Sequence, residues 1–173
     1  MQLHRLAPVL ALALLAACGG TTPTATQPSP ATCTDSDTAS QDWPLPQPPP
    51  SSTPPIVSVT VSGNTLQFTF TKGTPQFQVI TQSGADFSED PSGKPVTLAG
   101  TDGAQIVMTG FRGDQADYKG EKKLKSTGPR LLEVVALGDF EGNVTWGVGL
   151  SGPSCTVVTS SGSTLSFLFI QAT

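Results

Sequence analysis

The fold is decided by residues 56–61 (IVSVTV) and 66–70 (LQFTF), in which apolar and polar side chains alternate. A period of two is typical of a β-strand that buries one face. The dipeptide Gly63-Asn64 lies between the two segments, and Gly followed by Asn at such a position indicates a tight turn. These residues therefore predict an antiparallel β-hairpin.

The rest of the chain repeats this pattern in short segments that Gly, Ser, Asn and Pro separate. Residues 143–150 and 164–170 carry large apolar side chains at alternate positions. Strands of this kind bury one side, so two sheets must stack or one sheet must close. We therefore predict a mainly antiparallel β-sandwich within residues 56–173. The predicted strands are residues 56–61, 66–70, 76–81, 96–98, 105–109, 131–137, 143–150, 154–159 and 164–170.

The first residues have the features of a secretion signal. His4 and Arg5 supply a basic start, and an apolar run follows over residues 6–17. This run is shorter than the roughly 20 apolar residues that a membrane-spanning helix needs. The pattern therefore predicts a signal peptide at residues 1–17, which places the working protein outside the cytoplasm.

The signal ends in LAACG, residues 15–19, which resembles the lipobox that precedes a lipidated cysteine in bacterial lipoproteins. This resemblance implies that Cys18 carries diacylglycerol and becomes the first residue of the mature chain. We therefore expect an acylated protein held at the extracytoplasmic face of the cell membrane, on a periplasmic or extracellular surface. The alternatives are a signal peptide cut near Ala17 without lipidation, and a buried helix.

Residues 18–55 form a segment rich in Pro, Thr and Ser after the lipobox. Such a composition cannot bury enough apolar surface to offset the entropy of ordering the chain. We therefore predict a disordered tether between the lipid anchor and the β domain.

The composition of the mature chain excludes several functions. Its only histidine, His4, lies in the signal peptide, so the mature chain has no His-based triad and no histidine metal ligand. Loss of Arg5 leaves eight Lys and Arg residues against thirteen Asp and Glu residues, a net charge of minus five. Nucleic acid is an unsuitable partner for an acidic chain. We expect no cofactor and no metal.

Cys33 and Cys155 are the cysteines that remain once Cys18 is acylated. Because the compartment is oxidising, we predict a disulfide between them, the alternative being two free thiols. Closing this long loop would contribute roughly 4–5 kcal/mol. The bond would fasten the second half of the tether to the β domain and leave residues 19–32 as the free tether.

Residues 138–150 (GDFEGNVTWGVGL) resemble the most specific run of the AMIN-like domain of secreted bacterial lipoproteins. Residues 77–79 (FQV) and 92–100 (SGKPVTLAG) are similar to two upstream segments of that family, in the same order. The resemblance implies a β-sandwich related to the AMIN domain, which contacts peptidoglycan in cell-wall amidases. The first and last strands lack the family's Asp and Arg, so any pairing of those two residues is absent here.

Asp139 and Glu141 stand two residues apart inside the family run. One interpretation is a carboxylate pair for glycan hydrolysis or for calcium. The favoured one is a turn in which both carboxylates accept backbone hydrogen bonds and Phe140 fills the core. Trp146 is expected in the core, although a Trp on the other face could stack on a sugar ring.

A basic cluster, Lys119, Lys122, Lys123 and Lys125, interrupts the acidic sequence. It could bind anionic envelope polymers, lipid headgroups or peptidoglycan carboxylates, or it could be a solvated loop. An acidic loop with Asp86, Glu89 and Asp90 could hold calcium weakly, without the ligand spacing of an EF-hand.

The leading hypothesis is a lipid-anchored, non-catalytic envelope module that contacts peptidoglycan or another envelope glycan. Its partners would be the membrane, through the lipid, and the wall or an envelope protein. One alternative is an accessory subunit of an envelope complex. A second alternative is a glycan hydrolase that uses Asp139 and Glu141.

Overall fold

A computed structural model describes residues 55–111 and 118–172. The predicted signal peptide, Cys18, Cys33 and all of the predicted tether except Pro55 lie outside these residues. The described residues contain no helix of the length and apolarity needed to cross a membrane. They form eleven strands, namely β1 (Ile56–Ser62), β2 (Thr65–Phe70), β3 (Gln76–Ser83), β4 (Asp86–Ser88), β5 (Pro95–Thr97), β6 (Asp102–Thr109), β7 (Lys123–Lys125), β8 (Leu131–Phe140), β9 (Asn143–Leu150), β10 (Ser154–Ser161) and β11 (Thr164–Gln171).

The first sheet has the strand order β1-β2-β11-β10, and every neighbouring pair is antiparallel. β1 and β2 form the predicted hairpin around Gly63-Asn64, so that prediction is confirmed. Phe68 of β2 pairs with Leu165 of β11, and both side chains are fully buried. This face of the sheet is therefore the one that faces the core.

The second sheet has the order β3-β6-β9-β8-β7 and is also antiparallel throughout. β9 lies at its centre, paired on both sides with long strands. The alternate β9 residues that the sequence placed on one face are all buried in the main core: Val144, Trp146, Val148 and Leu150. The predicted strand 143–150 has the observed bounds.

The main core lies between the two sheets and is built around packed aromatic rings. Phe68 meets Trp146 edge-on with ring centroids 5.5 Å apart, and it meets Phe167 edge-on at 5.9 Å. Phe77 packs on Phe167 in the same manner at 5.3 Å. Burying each large apolar side chain contributes about 1.5–3 kcal/mol. The predicted antiparallel β-sandwich is confirmed.

A small hairpin of β4 and β5 forms a second core with β8 residues that point away from the main core. The hairpin can lie close to the second sheet because that sheet has glycines at the contact. A Cβ on Gly103 would lie 2.7 Å from the Phe87 ring, and one on Gly149 would collide with the carbonyl oxygen of Ala99. In residues 146–149, large apolar residues alternate with Gly: the former pack in the main core and the latter leave room for the hairpin on the other face.

Phe140 is 38% exposed, so the prediction that it fills the core is wrong. The register of β8 shifts between Ala136 and Gly138, where the strand carries an irregularity. Beyond it, Asp139 pairs with Val144, whose side chain faces the core, and Phe140 falls on the opposite face.

Candidate functional site

A cleft of about 590 Å³ opens where three parts of the fold meet. These parts are residues 118–122 before β7, residues 89–92 between β4 and β5, and residues 136–139 of β8. The volume falls within the usual range for ligand sites. The residues that line it are Ile56, Glu89, Asp90, Ser92, Tyr118, Lys119, Lys122, Ala136, Leu137, Gly138, Asp139, Val144 and Trp146.

The β4–β5 loop forms one wall of the cleft and is fastened to β8 by its backbone. The N–H of Asp90 donates to the carbonyl oxygen of Leu137 at 2.9 Å, and Asp90 makes an isolated parallel bridge with Gly138. A Cβ on Gly138 would collide with the carbonyl oxygen of Asp90. Within the loop, the N–H of Gly93 donates to the carbonyl oxygen of Glu89 at 2.7 Å. The wall is therefore held at a set distance from the strand.

The opposite wall is the segment that carries Tyr118 and Lys122. The N–H of Ala136 donates to the carbonyl oxygen of Lys122 at 2.7 Å, which extends the pairing of β7 with β8 toward the cleft. A Cβ on Gly120 would overlap the Tyr118 ring, so glycine leaves room for that ring.

Tyr118 is partly buried in this wall, and its ring packs on Trp146. Burial raises the pKa of the Tyr118 hydroxyl above its ordinary value of 10.0. A backbone hydrogen bond with Val59 opposes this shift, and the charge of Glu121 adds to it. The phenol is therefore neutral in the cleft at physiological pH.

Trp146 connects the main core to the cleft. Its side chain is 1% exposed, and its Nε1 has no hydrogen-bond partner among the residues that the structure describes. A buried donor without a partner costs about 1–3 kcal/mol. Because Trp146 also lines the cleft, a ligand that brings an acceptor to this indole would remove that cost.

The cleft carries charges of both signs. Glu89, Asp90 and Asp139 contribute carboxylates, and Lys119 and Lys122 contribute ammonium groups. Lys123 and Glu133 form an ion pair outside the cleft lining. Electrostatic complementarity therefore favours a ligand that is itself polar or charged.

Four of the residues predicted for binding come together in this cleft: Lys119, Lys122, Asp139 and Trp146. The basic cluster is divided, because Lys123 and Lys125 belong to β7, where Lys125 pairs with Glu133 of β8 and Lys123 pairs with Val135. Lys123 Nζ lies 3.2 Å from Glu133 Oε1. The burial of Trp146 leaves no open ring face for stacking on a sugar.

Glu141 does not join Asp139 in the cleft lining. It occupies the β8–β9 turn with a φ of 51°, followed by Gly142 with a φ of 78°. Two successive residues with positive φ are typical of a tight hairpin turn. The turn prediction therefore describes Glu141, whereas Asp139 is a strand residue that lines the cleft.

The acidic loop does not form a metal cage within residues 55–111 and 118–172, where no group of three or more suitable ligands occurs. Two of its three carboxylates accept hydrogen bonds from neighbouring hydroxyls. Thr97 Oγ1 donates to Asp86 Oδ1 at 2.6 Å, and Ser92 Oγ donates to Glu89 Oε2 at 3.2 Å.

Sequence reasoning missed Tyr118 as a cleft residue. The sequence did contain an indication of its role, since Tyr118 is the single tyrosine of the chain and directly precedes the basic cluster.

Two stacked antiparallel sheets and an outer hairpin define an all-β sandwich domain, and a mixed-charge cleft opens at one side of it. The chain belongs to the AMIN-like domain family, whose family model matches residues 65–164. The matched range contains every cleft residue except Ile56. The comparisons with curated proteins and with solved structures gave no match.

Proposed function

We propose that this protein is a lipid-anchored, non-catalytic module of the cell envelope that binds peptidoglycan or another envelope glycan through the cleft. The observation that carries the proposal is the cleft itself, whose lining combines carboxylates, ammonium groups and Trp146, a residue with a buried and partnerless N–H among the described residues. Membership of the AMIN-like family supports it, because the related AMIN domain contacts peptidoglycan.

The lipobox resemblance of residues 15–19 supports acylation of Cys18 and attachment to the extracytoplasmic face of the membrane. Residues 18–55 would then act as a tether that lets the β domain reach the wall. Cys155 lies on β10, where alternation with the core-facing Thr156 directs it to the outer face of the sheet. It is nevertheless only 3% exposed, which supports the proposed disulfide to Cys33.

A non-catalytic role agrees with the placement of the two carboxylates first considered for hydrolysis. A glycan hydrolase needs two carboxyl groups that flank one bond. Asp139 lines the cleft, and Glu141 lies in the exposed hairpin turn beyond it. The pair therefore gives no support to the hydrolase alternative.

The accessory-subunit alternative would draw on exposed apolar surface. In the described part of the chain, Val157 and Leu168 are the one cross-strand pair among the exposed large apolar residues. Two neighbouring side chains make a small patch, so the cleft is the stronger basis for a function.

The proposal is tested by co-sedimentation of the detergent-solubilised mature chain with purified sacculi. We expect retention well above that of an unrelated acidic protein of similar size, because recognition by the cleft does not depend on net charge. Retention equal to that of the unrelated protein would contradict binding to the wall.

A further inference from the structure

We infer that the cleft recognises the peptide part of peptidoglycan, through a ligand that carries both a free carboxylate and a free ammonium group, and not the sugar backbone. This inference rests on the proposed function and names the chemistry of its ligand.

The two walls of the cleft carry charges of opposite sign. Glu89 and Asp90 stand on the loop wall, and Lys122 stands on the opposite wall. None of these three side chains forms an ion pair with any residue that the structure describes. A neutral sugar would leave both signs of charge unmatched. A polyanion would be repelled by the two loop carboxylates. A ligand with one group of each sign matches both walls.

The cleft has little exposed aromatic surface on which a sugar ring could stack. Glycans are commonly held by stacking on an open aromatic face. The aromatic side chains in the lining are Tyr118 and Trp146. Trp146 is buried, and Tyr118 is partly buried with its ring packed on the indole. Of the two rings, Tyr118 alone therefore keeps exposed surface, so the cleft has less aromatic surface for a sugar than charged groups for a peptide.

The indole N–H of Trp146 is a buried donor with no partner in the described residues. An indole nitrogen donates and cannot accept, so its natural ligand is a carbonyl or carboxylate oxygen. A peptide supplies such oxygens along its backbone and at its terminus. The same ligand can thus satisfy the indole and the charges of the two walls.

The test follows the indole signal of Trp146 by NMR in the ¹⁵N-labelled mature chain in detergent. The chain has two tryptophans, so the Trp43→Phe variant identifies the signal of Trp146. The probes are a synthetic stem tetrapeptide with a free side-chain amine and a free terminal carboxylate, glycan strands stripped of peptide, and intact sacculi.

We expect the tetrapeptide to shift the Trp146 signal and to displace the protein from sacculi. The Lys122→Gln variant should bind the tetrapeptide about fivefold more weakly, because it removes one of the two matched charges. Lys125→Gln is the matched control, since this lysine is exposed on β7 outside the cleft lining, and its affinity should equal that of the wild type.

Binding to stripped glycan strands without any response to the tetrapeptide would overturn the inference and leave the proposed function standing. Binding to none of the three probes would contradict the inference and would remove peptidoglycan as the ligand in the proposed function. Equal losses in Lys122→Gln and Lys125→Gln would also overturn the inference, because the effect would then be one of general charge.

Discussion

The ring of Tyr118 packs edge-on against the indole of Trp146, with ring centroids 5.8 Å apart and an angle of 63° between the planes. One residue lies in the cleft wall and the other lies in the main core, so the shape of the cleft depends on the packing of the sandwich. The contact also explains why the segment before β7 can form a wall without belonging to a strand.

We expect Tyr118 to titrate above the ordinary tyrosine pKa of 10.0, because burial disfavours the phenolate. Its ultraviolet absorbance reports on one site, since the chain has one tyrosine. A raised pKa means that the folded state binds this proton more tightly than the unfolded state. The contribution of Tyr118 to stability is therefore complete below pH 10 and is lost as the pH rises through the folded pKa. A folded-state midpoint at or below that of the urea-unfolded chain would contradict this.

Substituting Gly120 with Ala should disturb the cleft and leave the fold intact. The added Cβ overlaps the Tyr118 ring, which must move, and the three atoms nearest to that Cβ all belong to this side chain. We expect the near-ultraviolet circular dichroism and the Trp146 indole signal to change while the far-ultraviolet spectrum does not. An unchanged indole signal would contradict the prediction, because it would show that the position of the Tyr118 ring does not depend on Gly120.

The close approach of the β4–β5 hairpin predicts that Gly149→Ala lowers the free energy of unfolding by about 1–3 kcal/mol, because the Cβ collides with the Ala99 backbone. Gly152→Ala is the matched control. Its Cβ would lie 3.1 Å from the Arg130 guanidinium, the far end of a flexible side chain. Denaturant unfolding checks both variants, and equal losses in the two would contradict the proposed layer contact.

Glu133 should matter more to stability than the lysine that pairs with it. Glu133 is buried, and its Oε2 accepts the N–H of Ala99 at 3.0 Å, whereas the Lys123 side chain is 55% exposed. We expect Glu133→Ala to cost about 1.5–3 kcal/mol and Lys123→Gln to cost less than about 1 kcal/mol. Similar costs in denaturant unfolding would mean that the ion pair, and not the backbone hydrogen bond, dominates.

The predicted bond between Cys33 and Cys155 is checked by peptide mapping of the mature chain without reduction. We expect one cross-linked peptide that contains both cysteines. The Cys33→Ser variant should lower the free energy of unfolding by roughly 4–5 kcal/mol, because the unfolded chain gains the entropy of the opened loop. Free thiols at both positions in protein taken from its own host would contradict the prediction.

The fold was predictable where side chains alternate over many residues. Residues 143–150 and 164–170 gave strands close to the observed β9 and β11, because a period of two over seven or eight residues has one physical explanation. β4 and β7 were missed, since three residues are too few to establish a period of two; β5 is equally short, and the strand predicted at residues 96–98 is displaced from it by one residue. Their pairing is set by neighbours that are distant in sequence.

The cleft was predictable only in part. Lys122 and Lys123 are adjacent in the sequence and were grouped in one basic cluster, yet one lines the cleft and the other pairs with Glu133. What separates them is the start of β7. The opposite wall comes from residues 89–92, which meet β8 through the irregularity near Gly138. No local sequence pattern predicts this contact, because an irregularity in strand register is determined by tertiary packing.

The most direct test compares the retention of three mature chains on purified sacculi: the wild type, Lys122→Gln and Lys125→Gln. Binding through the cleft predicts that Lys122→Gln is retained several-fold less than the wild type and that Lys125→Gln is retained equally well. Equal retention of all three chains would contradict a role for the cleft in binding the wall.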